Sequence, residues 1–358
     1  MKSKFVASGL AIVLGLTGVG TIGFPEGAVA QQRTSEIDTA IAEGRRLLRE
    51  GSAKSLRKAI GYFEKALGLA RSSKDKQALS LLALGRLYDL LDEKQKASQY
   101  YNQALPIWRA MGDRSGEATT LNNLGLIHDN LGEKQKAIEY YNQSLLILRV
   151  VGNRSNEATT LTNLGLVYNS LGENQKAIAY YNQALPIRRA VGDRSGEAKT
   201  LTNLGRVYSS LGENQKAIEY YNQALPISRA VGDRSGEAVT LNNLGGAYSS
   251  LGENQKAIEY FNQSLPIKRA VGDRSGVAKT LNNLGRVYDD LGENQKAIAA
   301  YKKSVNIYES IRKDNQKLPR ALRESYTKSI ADTYQALANL LIKQGRPAEA
   351  EAVLELLK

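Results

Sequence analysis

Cysteine is absent from the 358 residues, and histidine occurs once, at His128. The first absence excludes disulfides, zinc–thiolate sites, iron–sulfur clusters and a cysteine nucleophile. The second leaves no histidine triad, metal cluster or proton relay to assemble. Proline is scarce, at 7 residues, and aromatic residues make up only 7%. Most enzyme chemistry is short of parts, so we expect a non-enzyme without a cofactor. Apolar residues at 42% still suffice for a packed core, which rules out wholesale disorder. Acidic residues are outnumbered, 36 against 49 Lys and Arg, for a net charge of +13.

Long uncharged runs are also missing, with one exception. After Lys2 and Lys4, the stretch from Phe5 to Phe24 carries no charge. Pro25 breaks it, and Ala28-Val29-Ala30 supplies a small-x-small sequence of the kind cleaved after a secretory leader. Residues 1–30 therefore read as a signal peptide cut between Ala30 and Gln31, giving an exported, periplasmic or secreted chain. The rival is an uncleaved anchor, against which the five glycines of the run and the cleavage sequence weigh. With no cysteine following, a lipoprotein anchor is excluded.

What the sequence has in abundance is a repeat. Leu121-Asn-Asn-Leu-Gly125 returns at 161, 201, 241 and 281 with Thr or Asn in second place, and Leu81-Leu-Ala-Leu-Gly85 is an earlier copy. Gln-Lys-Ala-Ile follows at 135, 175, 215, 255 and 295. The period is 40 residues, giving units 73–112, 113–152, 153–192, 193–232, 233–272 and 273–312. Each unit reads as two helices. Leu121, Leu124, Gly125, His128 and Leu131 share one face of the first, and Ala137, Ile138, Tyr141 and Leu145 one face of the second. Gly132 and Gly152 end these helices, and Asn153, Asp193, Asp233 and Asp273 cap the next ones. Gly125 and Ala137 keep the crossing close. Pro106, Pro186, Pro226 and Pro266 fall inside the second helix, where we expect a bend but no break. Loops this short force antiparallel neighbours, so the pairs stack in a row.

The small and aromatic positions Leu121, Leu124, Gly125, His128, Ala137, Tyr141 and Ser144, with their equivalents, resemble a tetratricopeptide repeat. The period departs from the usual 34 residues. Elongated units of this kind resemble those of kinesin light chains, and more closely the arrays preceding a caspase-like CHAT peptidase domain in exported bacterial proteins. The resemblance covers 35–358 and implies an all-α, right-handed solenoid of about eight helix pairs. Residues 31–72 form a divergent first unit, with Gly44 and Ala59 in the Gly125 and Ala137 roles and a longer loop around Gly51. Residues 313–358 form a C-terminal capping pair restarted by Pro319. In the CHAT-linked arrays an entry like Leu318 to Tyr326 precedes the peptidase, so the chain is either a free-standing array or a shortened one.

His128 stands in the column of Tyr88, Tyr168, Tyr208, Tyr248 and Tyr288, and Tyr101, Tyr141, Tyr181 and Tyr221 form another; both read as packing. Arg149, Arg189, Arg229 and Arg269 end the second helices, and Arg114, Arg154, Arg194, Arg234 and Arg274 lie in the loops. Spread this evenly, they read as solvated faces and caps, not a nucleic-acid footprint. Asn123, Asn163, Asn203, Asn243 and Asn283 lie away from the packed face, on what would be the concave side of stacked first helices. A carboxamide donates and accepts, which suits an extended peptide backbone, and the family resemblance implies such an asparagine ladder. Around it we place Asn122, Asn242 and Asn282, the cations Arg206, Arg286, Lys199 and Lys279, and the acids Asp129 and Asp289. The expected function is a protein- or peptide-binding scaffold outside the cytoplasm. The alternatives are a recruiting array for a CHAT-type peptidase and a solenoid that self-stacks through its last pair. Nucleic acid is not an expected partner, and anionic glycans or lipid head groups are a lesser one.

Overall fold

The computed structural model describes residues 26–317 and 319–357, so the uncharged leader run and Leu318 lie outside the described residues. The regular structure of these residues is helical throughout. The chain divides into two compact units between Tyr100 and Tyr101. The first holds α1 (Glu26–Glu50), α2 (Ala53–Leu69) and α3 (Lys74–Leu90), and the division falls within α4 (Lys94–Met111).

In the first unit α1 and α2 form an antiparallel pair. Ala59 is fully buried, and Phe63 lies so close to Gly44 that an added methyl would meet its ring at 2.6 Å. The expected longer loop is not there. Gly51, at φ +70°, ends α1 and the Ser52 side chain caps α2 at once, so two residues make the turn. Helix α1 begins upstream of the Ala30–Gln31 peptide bond.

The second unit continues in pairs: α5 (Arg114–Asn130) with α6 (Lys134–Val151), α7 (Arg154–Ser170) with α8 (Asn174–Ala190), and α9 (Arg194–Ser210) with α10 (Asn214–Ala230). Then come α11 (Arg234–Ser250) with α12 (Asn254–Ala270), and α13 (Arg274–Asp290) with α14 (Asn294–Asp314). A short 3-10 turn (Asn315–Lys317) leads to α15 (Arg320–Lys343) and α16 (Pro347–Glu355). Each core cluster joins a second helix, the following first helix and the second helix after it. Tyr181, Leu201, Leu204 and Ala224, for instance, come together from α8, α9 and α10. No pair closes a core alone, which is the physical basis of the stack. Successive first helices also touch one another past the intervening second helix, as α5–α7, α7–α9, α9–α11 and α11–α13 do. They therefore form the inner side of the second unit.

The capping expectation holds: Asp193, Asp233 and Asp273 each accept from the N–H three residues on, at 2.8 Å, and Asn153 does so at 3.2 Å. The second helices run unbroken through Pro186, Pro226 and Pro266. Those prolines are exposed, so each carbonyl that loses its partner lies on the solvent side, as at Asn182.

Candidate functional site

Two adjoining hollows run along the inner side of the second unit. The first, of about 700 Å³, is lined from α7, α9 and α11 and from the ends of α8 and α10. The second, of about 480 Å³, is lined mainly from α9, α11 and α13. Arg206 borders both, so the two hollows adjoin at that side chain. Asn163, Asn203, Lys199 and Leu166 line the first, and Asn242, Asn243, Asn283 and Arg286 the second. Four of the five asparagines of the ladder thus meet in one groove. Asn123, Asn282, Lys279, Asp129 and Asp289 are outside both hollows.

The asparagines are half-buried, not freely solvated. Asn203 and Asn283 make no side-chain hydrogen bond among the described residues. The Asn243 amide nitrogen is buried without a partner, in the wall of the second hollow. A buried donor left unmatched costs about 1–3 kcal/mol, which an incoming acceptor would recover. Asn163 is less free, because its amide donates to Asn122 in the preceding repeat at 3.3 Å.

Other side chains placed around the ladder have structural work. Asn122 also accepts from the Thr160 hydroxyl at 3.0 Å, and Asn242 accepts from Thr280 at 2.7 Å and Lys268 at 3.3 Å. These carboxamides tie successive first helices together. Asp129 is held by the Lys134 ammonium at 2.5 Å and closes the turn between α5 and α6. The basic loops are likewise not simple solvated faces. Arg189 donates to the buried Glu197 at 2.8 Å, and Arg194 binds the other oxygen of that carboxylate. Arg149 and Arg154 clasp Glu157 in this way, and Arg229 and Arg234 clasp Glu237. In the last copy Val277 replaces the acid, and Arg274 turns to Asp314 and Ser310, each at 2.6 Å.

His128 stacks on Tyr140 with ring centres 5.2 Å apart, as Tyr168 does on Tyr180 and Tyr208 on Tyr220. A lysine ammonium lies 5.0–5.5 Å from the centre of the tyrosine ring in the other copies. The Tyr141, Tyr181 and Tyr221 phenols are pushed well above their ordinary pKa by burial and remain neutral.

One column escaped the sequence reading. Residues 108, 148, 188, 228 and 268 follow the 40-residue period and are Trp, Leu, Arg, Ser and Lys, all buried. Arg188 reaches Asp193 with one nitrogen and lies 3.4 Å from both Thr159 and Thr162 with another. Burial disfavours the Asp193 carboxylate, but the Gly196 N–H and then Arg188 outweigh it, holding the acid below its usual range. Lys268 bonds to Asn242, to the Gly276 carbonyl at 3.2 Å and to Thr280 at 2.8 Å, and burial pushes its pKa down. The only sequence signal was variation at a position flanked by invariant residues.

The tetratricopeptide repeat family model matches residues 52–110, 156–230, 196–270 and 236–310. Two further models of the same repeat match 118–147 and 330–356. Among solved structures, the chain is similar to BtubC (BKLC) from P. vanneervenii at 22% identity and a TM-score of 0.53, over 67% of this chain and 92% of that one. It is similar to the apo form of RapI at 17% identity and 0.63, over 91% and 96%. A Rap protein complexed with Competence and Sporulation Factor matches at 16% and 0.56, over 90% and 96%. A search of the curated proteins found no match.

Proposed function

Because the chain belongs to the tetratricopeptide repeat family, we propose that it is a non-catalytic scaffold that binds an extended segment of a partner protein along the inner side of α7, α9, α11 and α13. The observation that carries this reading is the pair of hollows adjoining at Arg206, with Asn163, Asn203, Asn243 and Asn283 along them and an unmatched buried donor at Asn243. An extended peptide offers alternating donors and acceptors, and each carboxamide can answer both. The arginines that end the second helices and begin the next are largely engaged by carboxylates of the fold, which argues against a nucleic-acid partner.

The triple variant Asn163→Ala, Asn203→Ala, Asn243→Ala tests the reading. One net hydrogen bond contributes about 0.5–1.5 kcal/mol, so the variant should bind a randomised octapeptide pool about ten- to a thousand-fold more weakly if the terms add. Circular dichroism serves as the folding control. Unchanged affinity in a folded triple variant would move the binding site elsewhere. The scaffold acts outside the cytoplasm in this proposal, on the strength of the Lys2–Ala30 leader pattern. Mass spectrometry of the exported protein should give Gln31 as its first residue, and an intact 5–24 segment would refute export by cleavage. No helix among the described residues is long and apolar enough to cross a membrane.

A further inference from the structure

The period lets one slot be compared in five copies, because the residue at 108, 148, 188, 228 or 268 fills the same buried space beside the next first helix. In the copy ending at Gly192 the slot holds a guanidinium, on Asp193. In the copy ending at Gly272 it holds the Lys268 ammonium, close enough to Asp273 to feel its charge. Trp108 fills its slot with a ring that lies over Gly116, nearest carbon 2.5 Å from where a methyl would sit. Leu148 fills the next, and there the neighbouring acid is replaced by Asn153.

Ser228 breaks the series. Its side chain is too short to span the slot, and the space it leaves belongs to the 700 Å³ hollow. The acid has nevertheless been kept. Asp233 uses one oxygen to cap Gly236 at 2.8 Å, and among the described residues its carboxylate carries no ion pair. A second cation is missing as well. Six residues past the acid, Lys199 adds positive charge near Asp193 and Lys279 near Lys268, but the equivalent residue is Val239. Both cations of the neighbouring copies are thus deleted around Asp233, at the wall of the groove; around Asp113 they are absent too, but there Trp108 fills the slot.

We propose that the Ser228 slot receives an arginine or lysine side chain projecting from the bound segment, with the free oxygen of Asp233 as its acceptor. This rests on the peptide-groove reading above and names the ligand chemistry of that groove. Arg188 and Lys268 show within the same chain that the slot accommodates a cation on a long apolar stem. Thr202 stands where Thr162 meets Arg188, offering a second oxygen. Lys199, on α9 in the place where Thr159 meets Arg188, and Arg206 also line the hollow and favour acidic or neutral residues beside the basic one.

The test uses acetylated, amidated octapeptide pools with one central residue fixed as Arg, Lys, citrulline or Glu and the rest randomised. Affinity for the whole chain is read by fluorescence anisotropy. The Arg and Lys pools should bind about ten- to a hundred-fold more tightly than the citrulline and Glu pools, as expected for a charge-assisted bond in a half-buried site. Asp233→Asn should abolish that preference and leave the cap intact, since Asn153 caps α7. Ser228→Arg, which fills the slot from within, should abolish it too. A basic preference that survives either folded variant overturns the proposal. Equal binding of all pools overturns it and leaves the groove reading standing. No binding of any pool overturns both.

Discussion

Gly125 and Lys268 show how a single side chain, or its lack, is felt in this fold. A methyl on Gly125 would meet the Tyr141 ring at 2.6 Å, and that ring is buried between the two helices. The helix-forming gain of alanine, about 1 kcal/mol, opposes an overpacking cost of about 1–3 kcal/mol. Gly125→Ala should therefore lower the unfolding free energy in urea by up to about 2 kcal/mol, and an increase would contradict the close crossing. Lys268 acts through protons. Its folded pKa lies below the unfolded one, so the unfolded chain binds more protons in the window between them, and stability rises with pH there. Lys268→Met removes that rise. Urea midpoints across this window up to pH 10 should climb for the native chain relative to the variant, and parallel curves would refute a depressed ammonium. Near neutral pH the variant should be of equal or greater stability, because an apolar stem replaces a buried charge.

Among the elements, the joints between pairs rest on one buried glutamate and two arginines. Glu197 is buried, and Arg189 and Arg194 are each about half-exposed. Solvent screens the cations, so the clasp contributes less than a fully buried pair. Glu197→Ala should cost about 1–2 kcal/mol, read as a lowered denaturation midpoint. The arginines had looked like solvated charge because a sequence shows the loop residue and the acid three places on without showing that the acid turns inward. Val277 shows that the joint also forms without the acid, with Arg274 redirected to Asp314. The proline-bearing helices make the complementary point: an exposed Pro186 removes a bond that water can replace.

At the scale of the second unit, stability follows from cores shared between pairs, those from α6 to α12 each spanning three consecutive helices. Leu204 is fully buried in one of them, so Leu204→Ala should cost about 2–5 kcal/mol. Because neighbouring pairs share each core, amide exchange should quicken most in α8, α9 and α10, and less in α5 or α14. A uniform loss of protection over the described helices would contradict that locality.

The repeat, the helix spans, the caps and the tyrosine column were all written in the sequence, because a 40-residue period samples each structural position five or six times and local rules need only local residues. The asparagine column was legible as well, through its constancy away from the apolar face. What a sequence could not reveal was how much of that polar surface the neighbouring repeats consume. Asn122 and Asn242 read as free groove carboxamides, but their oxygens are occupied by Thr160 and Thr280 of the next repeat, and Asp129 is held by Lys134 of its own. Nor did it reveal that Arg188 and Lys268 turn inward, or that Ser228 leaves a space with Asp233 at its edge. Local periodicity determines which residues share a helix face. Only the stacking of one pair on the next decides which of them remain unpaired, since their partners come from a different repeat about 40 residues away.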